Sequence, residues 1–189
     1  MKNLAIFASG TGSNAKKIIE YFHTNPHIRV RLVVSNKKDA LVLNIAQENN
    51  IETIVINRRD FYETEQFLTD LQNRAIDWIV LAGFLWLIPD YLVKAFDRRI
   101  INIHPALLPK YGGKGMYGMR VHEAVKAANE RESGITIHYV NEHYDEGDII
   151  FQEKCVLNAN DTSEEIARKV QLLEHKFFPR VIETLLSSL

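Results

Sequence analysis

Leu4-Ala5-Ile6-Phe7-Ala8-Ser9-Gly10-Thr11-Gly12-Ser13-Asn14 decides the fold. An apolar run ends in a glycine-bearing turn, and Ile18, Ile19 and Phe22 follow at helical spacing. A strand that is apolar on both faces belongs in the middle of a sheet covered on both sides, where parallel strands sit. The alternation then repeats. Residues 29–35 read as a second strand and 40–48 as a helix; 53–56 as a third strand and 62–74 as a helix with Phe67, Leu68 and Leu71 on one stripe. Residues 78–82 and 99–104 are further strands, separated by a short helix over 89–96 that proline opens. Strands alternating with helices predict an α/β fold: a mostly parallel sheet with helices on both faces.

Beyond His104 the pattern changes. Residues 105–120 hold four glycines and two prolines and read as a loop. A short helix over 121–128 leads to strands over 134–140 and 149–156, joined by the acidic loop 141–148. Thr162 and Glu165 have capping-box spacing at the start of a last helix that runs to about Leu186. No repeat or linker interrupts the chain, so residues 1–189 are expected to form one domain. Its α/β half, 1–104, carries the phosphate-binding loop, and 105–189 complete the site.

Composition excludes several classes. The chain has 189 residues, enough for one sizeable core. Its 23 Lys and Arg against 24 Asp and Glu leave no broad basic surface, so nucleic acid is not an expected partner. No apolar stretch approaches a membrane span, and the N-terminal run is too short for a signal-peptide core, so the expected location is cytoplasmic. The single cysteine, Cys155, excludes an intrachain disulfide, and its apolar setting predicts a buried, inert thiol. His122, His138 and His143 lack ligand spacing, so no metal is expected. Monomer and homodimer are both compatible with the sequence.

Two places carry chemistry. Gly10-Thr11-Gly12-Ser13-Asn14 joins a strand to a helix, where glycine admits close approach of an anion and the helix N-terminus offers free amides. The plain alternative is a tight turn with Ser13 or Asn14 as cap. The loop is not a Walker A motif, since it lacks Gly-Lys-Ser/Thr, and strand two ends in Ser35-Asn36 with no acid for a dinucleotide ribose. A phosphate monoester on a small substrate fits better. The second place is Asn102-Ile103-His104-Pro105, where alternation puts the amide and the imidazole on one face of a strand end. A packed histidine is the alternative for His104 alone. Asp145, in the loop Tyr144-Asp145-Glu146-Gly147, is the candidate third member, although spacing cannot show that it reaches His104. If they meet, the carboxylate fixes the ring's tautomer and favours its protonated form, and Asn102 and His104 can donate to an oxyanion. With no Ser or Cys nucleophile, the attacking group has to come with the substrate, as an amine does.

At these residues the chain resembles the glycinamide ribonucleotide formyltransferase family of folate-dependent enzymes. Asn102-Ile103-His104-Pro105-Ala106-Leu107-Leu108-Pro109 carries the resemblance most strongly. Ser9 to Asn14, Leu81-Ala82-Gly83-Phe84, Gly134-Ile135-Thr136-Ile137-His138, Asp145-Glu146-Gly147 and Glu174-His175 add order and spacing, from Leu4 to about Pro179. The resemblance implies a Rossmann-like, formyltransferase-type fold and a reaction in which the glycinamide amine attacks the formyl carbon of 10-formyltetrahydrofolate. It assigns Asn102 and His104 to the oxyanion and Asp145 to orienting His104 and to proton transfer. Gly12, Ser13 and Asn14 would hold the phosphate and Glu174 the ribose. Leu85, Trp86, Ile88, Asn141, Glu142 and Tyr144 would line the folate pocket, and residues 105–189 would be the folate-binding, catalytic half. Trp86 stands where the bacterial pattern often has arginine. The loop Gly112 to Met119 is long and glycine-rich, and it is expected to act as a lid that excludes water. The chain has room for neither the C-terminal barrel of methionyl-tRNA formyltransferase nor the regulatory domain of formyltetrahydrofolate hydrolase.

Overall fold

Leu4, Ala5, Ile6 and Phe7 are fully buried, as an apolar run on both faces requires. They lie in β1 (Lys2–Phe7), at the centre of the sheet in the computed structural model, which describes residues 1–187. The chain continues through α1 (Ser13–Phe22), β2 (Ile28–Ser35), α2 (Leu41–Glu48), β3 (Glu52–Val55), α3 (Arg58–Tyr62), α4 (Gln66–Asn73) and β4 (Trp78–Leu81). It ends with α5 (Asp90–Ala95), β5 (Ile100–His104), α6 (Met119–Ala127), β6 (Glu132–Tyr139), β7 (Ile149–Val156) and α7 (Ser163–Ser187).

The seven strands are ordered β3-β2-β1-β4-β5-β6-β7. Neighbours from β3 to β5 pair in parallel, whereas β5–β6 and β6–β7 are antiparallel. This is the mostly parallel, helix-covered sheet the alternation predicts. The direction of strand addition reverses between β1 and β4, and the crevice beyond their carboxyl ends is where open sheets of this kind bind ligands.

Side-chain alternation divides the core in two. Leu4 and Ile6 of β1 face a cluster with Ile18, Val42, Phe178 and Ile182, under α1, α2 and α7. Ala5 and Phe7 face the other side, with Phe61, Phe67, Leu71 and Leu92 under α3, α4 and α5. Burying each large apolar side chain contributes about 1.5–3 kcal/mol, so these two layers hold the strand ends in place.

The structure corrects three local expectations. The helix expected over 62–74 begins only at Gln66, as α4, and a separate short helix, α3, precedes it. Asn57 caps α3 by accepting the Asp60 amide at 2.9 Å, and the break at residues 63–65 lets Phe61 and Phe67 enter one cluster with ring centroids 5.8 Å apart. Residues 119 and 120, expected in the loop, form the first turn of α6. Cys155 is half-buried, because β7 is the edge strand; burial still pushes its thiol pKa up, which keeps it protonated and unreactive. The capping box is present: the Thr162 amide donates to Glu165 Oε2 at 2.8 Å, and the Glu165 amide to Thr162 Oγ1 at 3.2 Å.

Candidate active site

The ends of β1, β4 and β5 open into a cleft of about 940 Å³, closed on the far side by the residue 113–120 segment and by α7. Its first wall is the turn after β1. Gly12 has φ 76°, and a Cβ there would lie 2.7 Å from Val42, so backbone conformation and packing both demand glycine. No side chain caps α1, which leaves its first-turn amides without a side-chain acceptor and sets aside the capping alternative for Ser13 and Asn14. The Asn14 side chain turns instead to α7, where its Nδ2 donates to Glu174 Oε2 at 3.0 Å, while its Oδ1 is buried with no partner among the described residues. Glu174 is half-buried rather than solvated. Burial pushes its carboxyl up to about 7 against the opposing pull of the Asn14 hydrogen bond.

The second wall comes from β5, and the register brings in its neighbour: Asn102 stands opposite His138 and His104 opposite Thr136 on β6. Thr136 fixes the turn after β5, since its hydroxyl donates to the Ala106 carbonyl at 2.7 Å and accepts the Leu108 amide at 3.0 Å. His104 is buried and its Nε2 donates to the Tyr111 carbonyl at 2.7 Å, leaving Nδ1 3.5 Å from Asp145 Oδ2. The carboxylate and the imidazole therefore meet.

Asp145 is the hub. It sits at φ 58°, and a Cβ on nearby Gly147 would strike the Tyr139 carbonyl, so the loop turns tightly enough to bring the acid inward. Its Oδ2 accepts the Gly113 amide at 2.9 Å, its Oδ1 accepts Asn102 Nδ2 at 3.3 Å, and His138 Nε2 lies 3.6 Å from Oδ1. Burial pushes this carboxyl up, but the polar groups facing it, the Gly113 amide among them, outweigh that push and hold the pKa below the ordinary carboxylate value. For His104 the balance goes the other way. Asp145 favours the protonated ring, as expected, but burial lowers the pKa by more than Asp145 and the Tyr111 carbonyl raise it, so the resting ring is neutral.

Of the residues expected around the folate, Leu85, Trp86, Ile88 and Tyr144 line the cleft. The Leu85 amide donates to Ser9 Oγ at 3.0 Å, which ties the segment after β4 to the end of β1. Trp86 packs on Phe61 and Phe84, with the Arg58 guanidinium 5.5 Å from its ring centroid. Asn141 and Glu142 are not brought to the cleft: the Asn141 side-chain Oδ1 accepts the His143 amide at 2.9 Å to close a turn, and Glu142 is exposed. Two histidines passed over in the sequence do line it. His122 is buried with Nδ1 unpartnered among the described residues, and burial, then the neighbouring His104, lowers its pKa to about 4. His138 touches both Asn102 and Asp145. Alternation along Thr136-Ile137-His138 was the available signal, but only the register with β5 gives it meaning. Among the described residues no group of three or more His, Cys, Asp or Glu side chains could hold a metal ion, and no helix is long and apolar enough to cross a membrane.

Comparison with known proteins places this geometry. Residues 2–182 match the formyl transferase family. A chloroplastic phosphoribosylglycinamide formyltransferase of Arabidopsis thaliana is 44% identical over 187 residues, covering 96% of this chain and 64% of that protein. The corresponding Vigna unguiculata protein is 42% identical, and 61% of it is covered, so the chain spans less than two thirds of these plant relatives. The Bacillus subtilis phosphoribosylglycinamide formyltransferase is 36% identical, with 98% of this chain and 95% of that protein covered. Among solved structures, the phosphoribosylglycinamide formyltransferase of Bacillus halodurans superposes with a TM-score of 0.88 at 34% identity, covering 98% of this chain and 96% of that one.

Proposed function

The chain belongs to the formyl transferase family, and on that premise we propose that it transfers the formyl group of 10-formyltetrahydrofolate to the amine of glycinamide ribonucleotide, a step of de novo purine synthesis. One observation carries the reading: Asn102, His104 and Asp145 converge at the floor of a cleft whose other end is an uncapped helix N-terminus. Among the described residues, the polar partners of these three are Tyr111, Gly113, His138 and one another, none a nucleophile for acyl transfer.

In this reading the ribonucleotide phosphate binds at the amides of Gly12, Ser13 and Asn14, and Glu174 contacts the ribose. Leu85, Trp86, Ile88 and Tyr144 hold the folate. The substrate amine attacks the formyl carbon, forming the new C–N bond while the carbonyl oxygen takes up negative charge. Asn102 and His104 stabilise that charge. His104 Nε2 keeps its hydrogen on the Tyr111 carbonyl, so Nδ1 is the nitrogen that faces the oxyanion, and it donates there once it has taken up the proton released by the attacking amine. Burial keeps the ring neutral until charge develops, so the site favours the transition state over the resting complex. Asp145 takes the amine proton, through water, and relays it to His104 Nδ1; the same proton goes on to the folate nitrogen as the C–N bond to the donor breaks and the oxyanion collapses to the new formyl group. No partner beyond the two small substrates is required; the protein acts as monomer or homodimer, in the cytoplasm, although the two plant relatives are named as chloroplastic.

The test is a formyl-transfer assay of the purified protein with and without glycinamide ribonucleotide. Donor consumption only in its presence is expected. Equal consumption in its absence means hydrolysis instead, and no consumption in either case refutes the reading.

A further inference from the structure

We propose that His138 is a positioning residue: locked as the neutral Nδ1–H tautomer, it fixes the plane of the Asn102 amide from which a hydrogen is given to the oxyanion. The proposal rests on the formyl-transfer reading for what Asn102 does, but its geometry stands apart from that reading.

The hydrogen-bond partners assign the protons. His138 Nδ1 lies 2.8 Å from the Tyr139 carbonyl oxygen, which can only accept, so Nδ1 carries a hydrogen. Nε2 lies 3.0 Å from Asn102 Nδ2, and an NH2 group can only donate, so Nε2 presents its lone pair. A doubly protonated ring would set an N–H against an NH2. The ring is 2% exposed, so no bulk water reshuffles these bonds.

The same contacts orient Asn102. Its two amide hydrogens go to His138 Nε2 at 3.0 Å and to Asp145 Oδ1 at 3.3 Å. Turning the amide over would place its oxygen against the carboxylate and against the Nε2 lone pair, both repulsive. The charged and titratable groups facing the ring are Asp145, from the β6–β7 loop, and His104, from β5. During the reaction Asp145 accepts a proton, and its hold on the Asn102 hydrogen weakens. That hydrogen passes to the oxyanion, while the His138 bond keeps the amide plane fixed. A Leu at 138 would leave Asn102 with one partner, and that one changes its charge during the reaction.

Two measurements test this. The first needs no turnover: 15N spectra of the whole protein should show His138 protonated on Nδ1 and bare on Nε2, with a through-hydrogen-bond coupling between Asn102 Nδ2 and His138 Nε2. A proton on Nε2 would overturn the proposal. The second is kinetic. His138→Leu should lower kcat by roughly ten- to hundredfold, the cost of a misplaced catalytic group, with KM for both substrates little changed. His138→Gln, whose side-chain oxygen can accept the Asn102 hydrogen, should recover most of that loss. Wild-type kcat in the Leu variant, or a Gln variant as slow as the Leu one, refutes the positioning role. If the Leu variant fails to fold, the Gln variant and the tautomer still decide. A wild-type protein without formyl transfer sinks the formyl-transfer reading, and the 15N measurement still decides the geometry.

Discussion

Replacing Asn102 by alanine separates two roles that the structure gives one amide. In the resting site the amide holds Asp145 at 3.3 Å and His138 at 3.0 Å; in the proposed reaction it serves the oxyanion. Removing a donor aimed at an oxyanion lowers kcat by about 100- to 1,000-fold, or about 2.7–4 kcal/mol of transition-state stabilisation. The resting bonds are worth less. Asn102 is half-buried at the floor of an open cleft, so water replaces the lost hydrogens, and the stability loss should stay near 1 kcal/mol, the net value of an ordinary hydrogen bond. Steady-state kinetics with each substrate varied, together with urea denaturation, read both quantities. The expected signature is equal loss in kcat and kcat/KM with stability almost intact. Wild-type kcat would refute the oxyanion role outright. A raised KM with unchanged kcat would show that the amide binds substrate and transition state alike. A stability loss of several kcal/mol would mean that the resting contacts, not the chemistry, explain the residue.

Other perturbations probe the rest of the cleft. Gly12→Ala forces a side chain onto φ 76° and against Val42, so it should destabilise the protein by about 1–3 kcal/mol and raise KM for the ribonucleotide more than for the folate. Glu174→Gln should stabilise the protein at pH 8. A carboxyl raised from 4.5 to about 7 on folding makes the native state bind the extra proton, so its stability falls as pH rises through that window, and glutamine removes the loss. The gain should be on the order of 1–3 kcal/mol by thermal denaturation at pH 8 and vanish at pH 4; equal effects at both pH values would show that the carboxyl does not titrate in that window. Limited proteolysis of the Gly112–Met119 segment should slow when both substrates are present, and equal cleavage rates would count against a lid.

Much of the site was legible because local rules governed it. Alternation along β5 places Asn102 and His104 on one face, and the strand–glycine–helix pattern marks the turn at Gly12 proposed to hold an anion. Helical spacing over 62–74 marks the Phe67, Leu68 and Leu71 stripe of α4, but a stripe of apolar residues does not report the break at residues 63–65. The resemblance implies a folate-pocket place for Asn141 and Glu142, but a turn closed by the Asn141 side chain keeps these two residues out of the cleft. His138 was read as a histidine without ligand spacing, since its partners lie 36 residues back and in the next loop.

The sequence by itself determined the strand and helix order, the central place of β1, the glycine turn and the pairing of an amide with an imidazole. These depend on periodicity, backbone conformation and side-chain type, all of which act over a few residues. Tertiary structure alone decided that Asp145 reaches His104, that His138 faces Asn102, and that Glu174 leaves water to meet Asn14. It also decided the sign of the His104 shift. A carboxylate beside a histidine raises its pKa, burial lowers it, and only the depth of the ring beneath the Tyr111 and Asp145 loops shows that burial prevails.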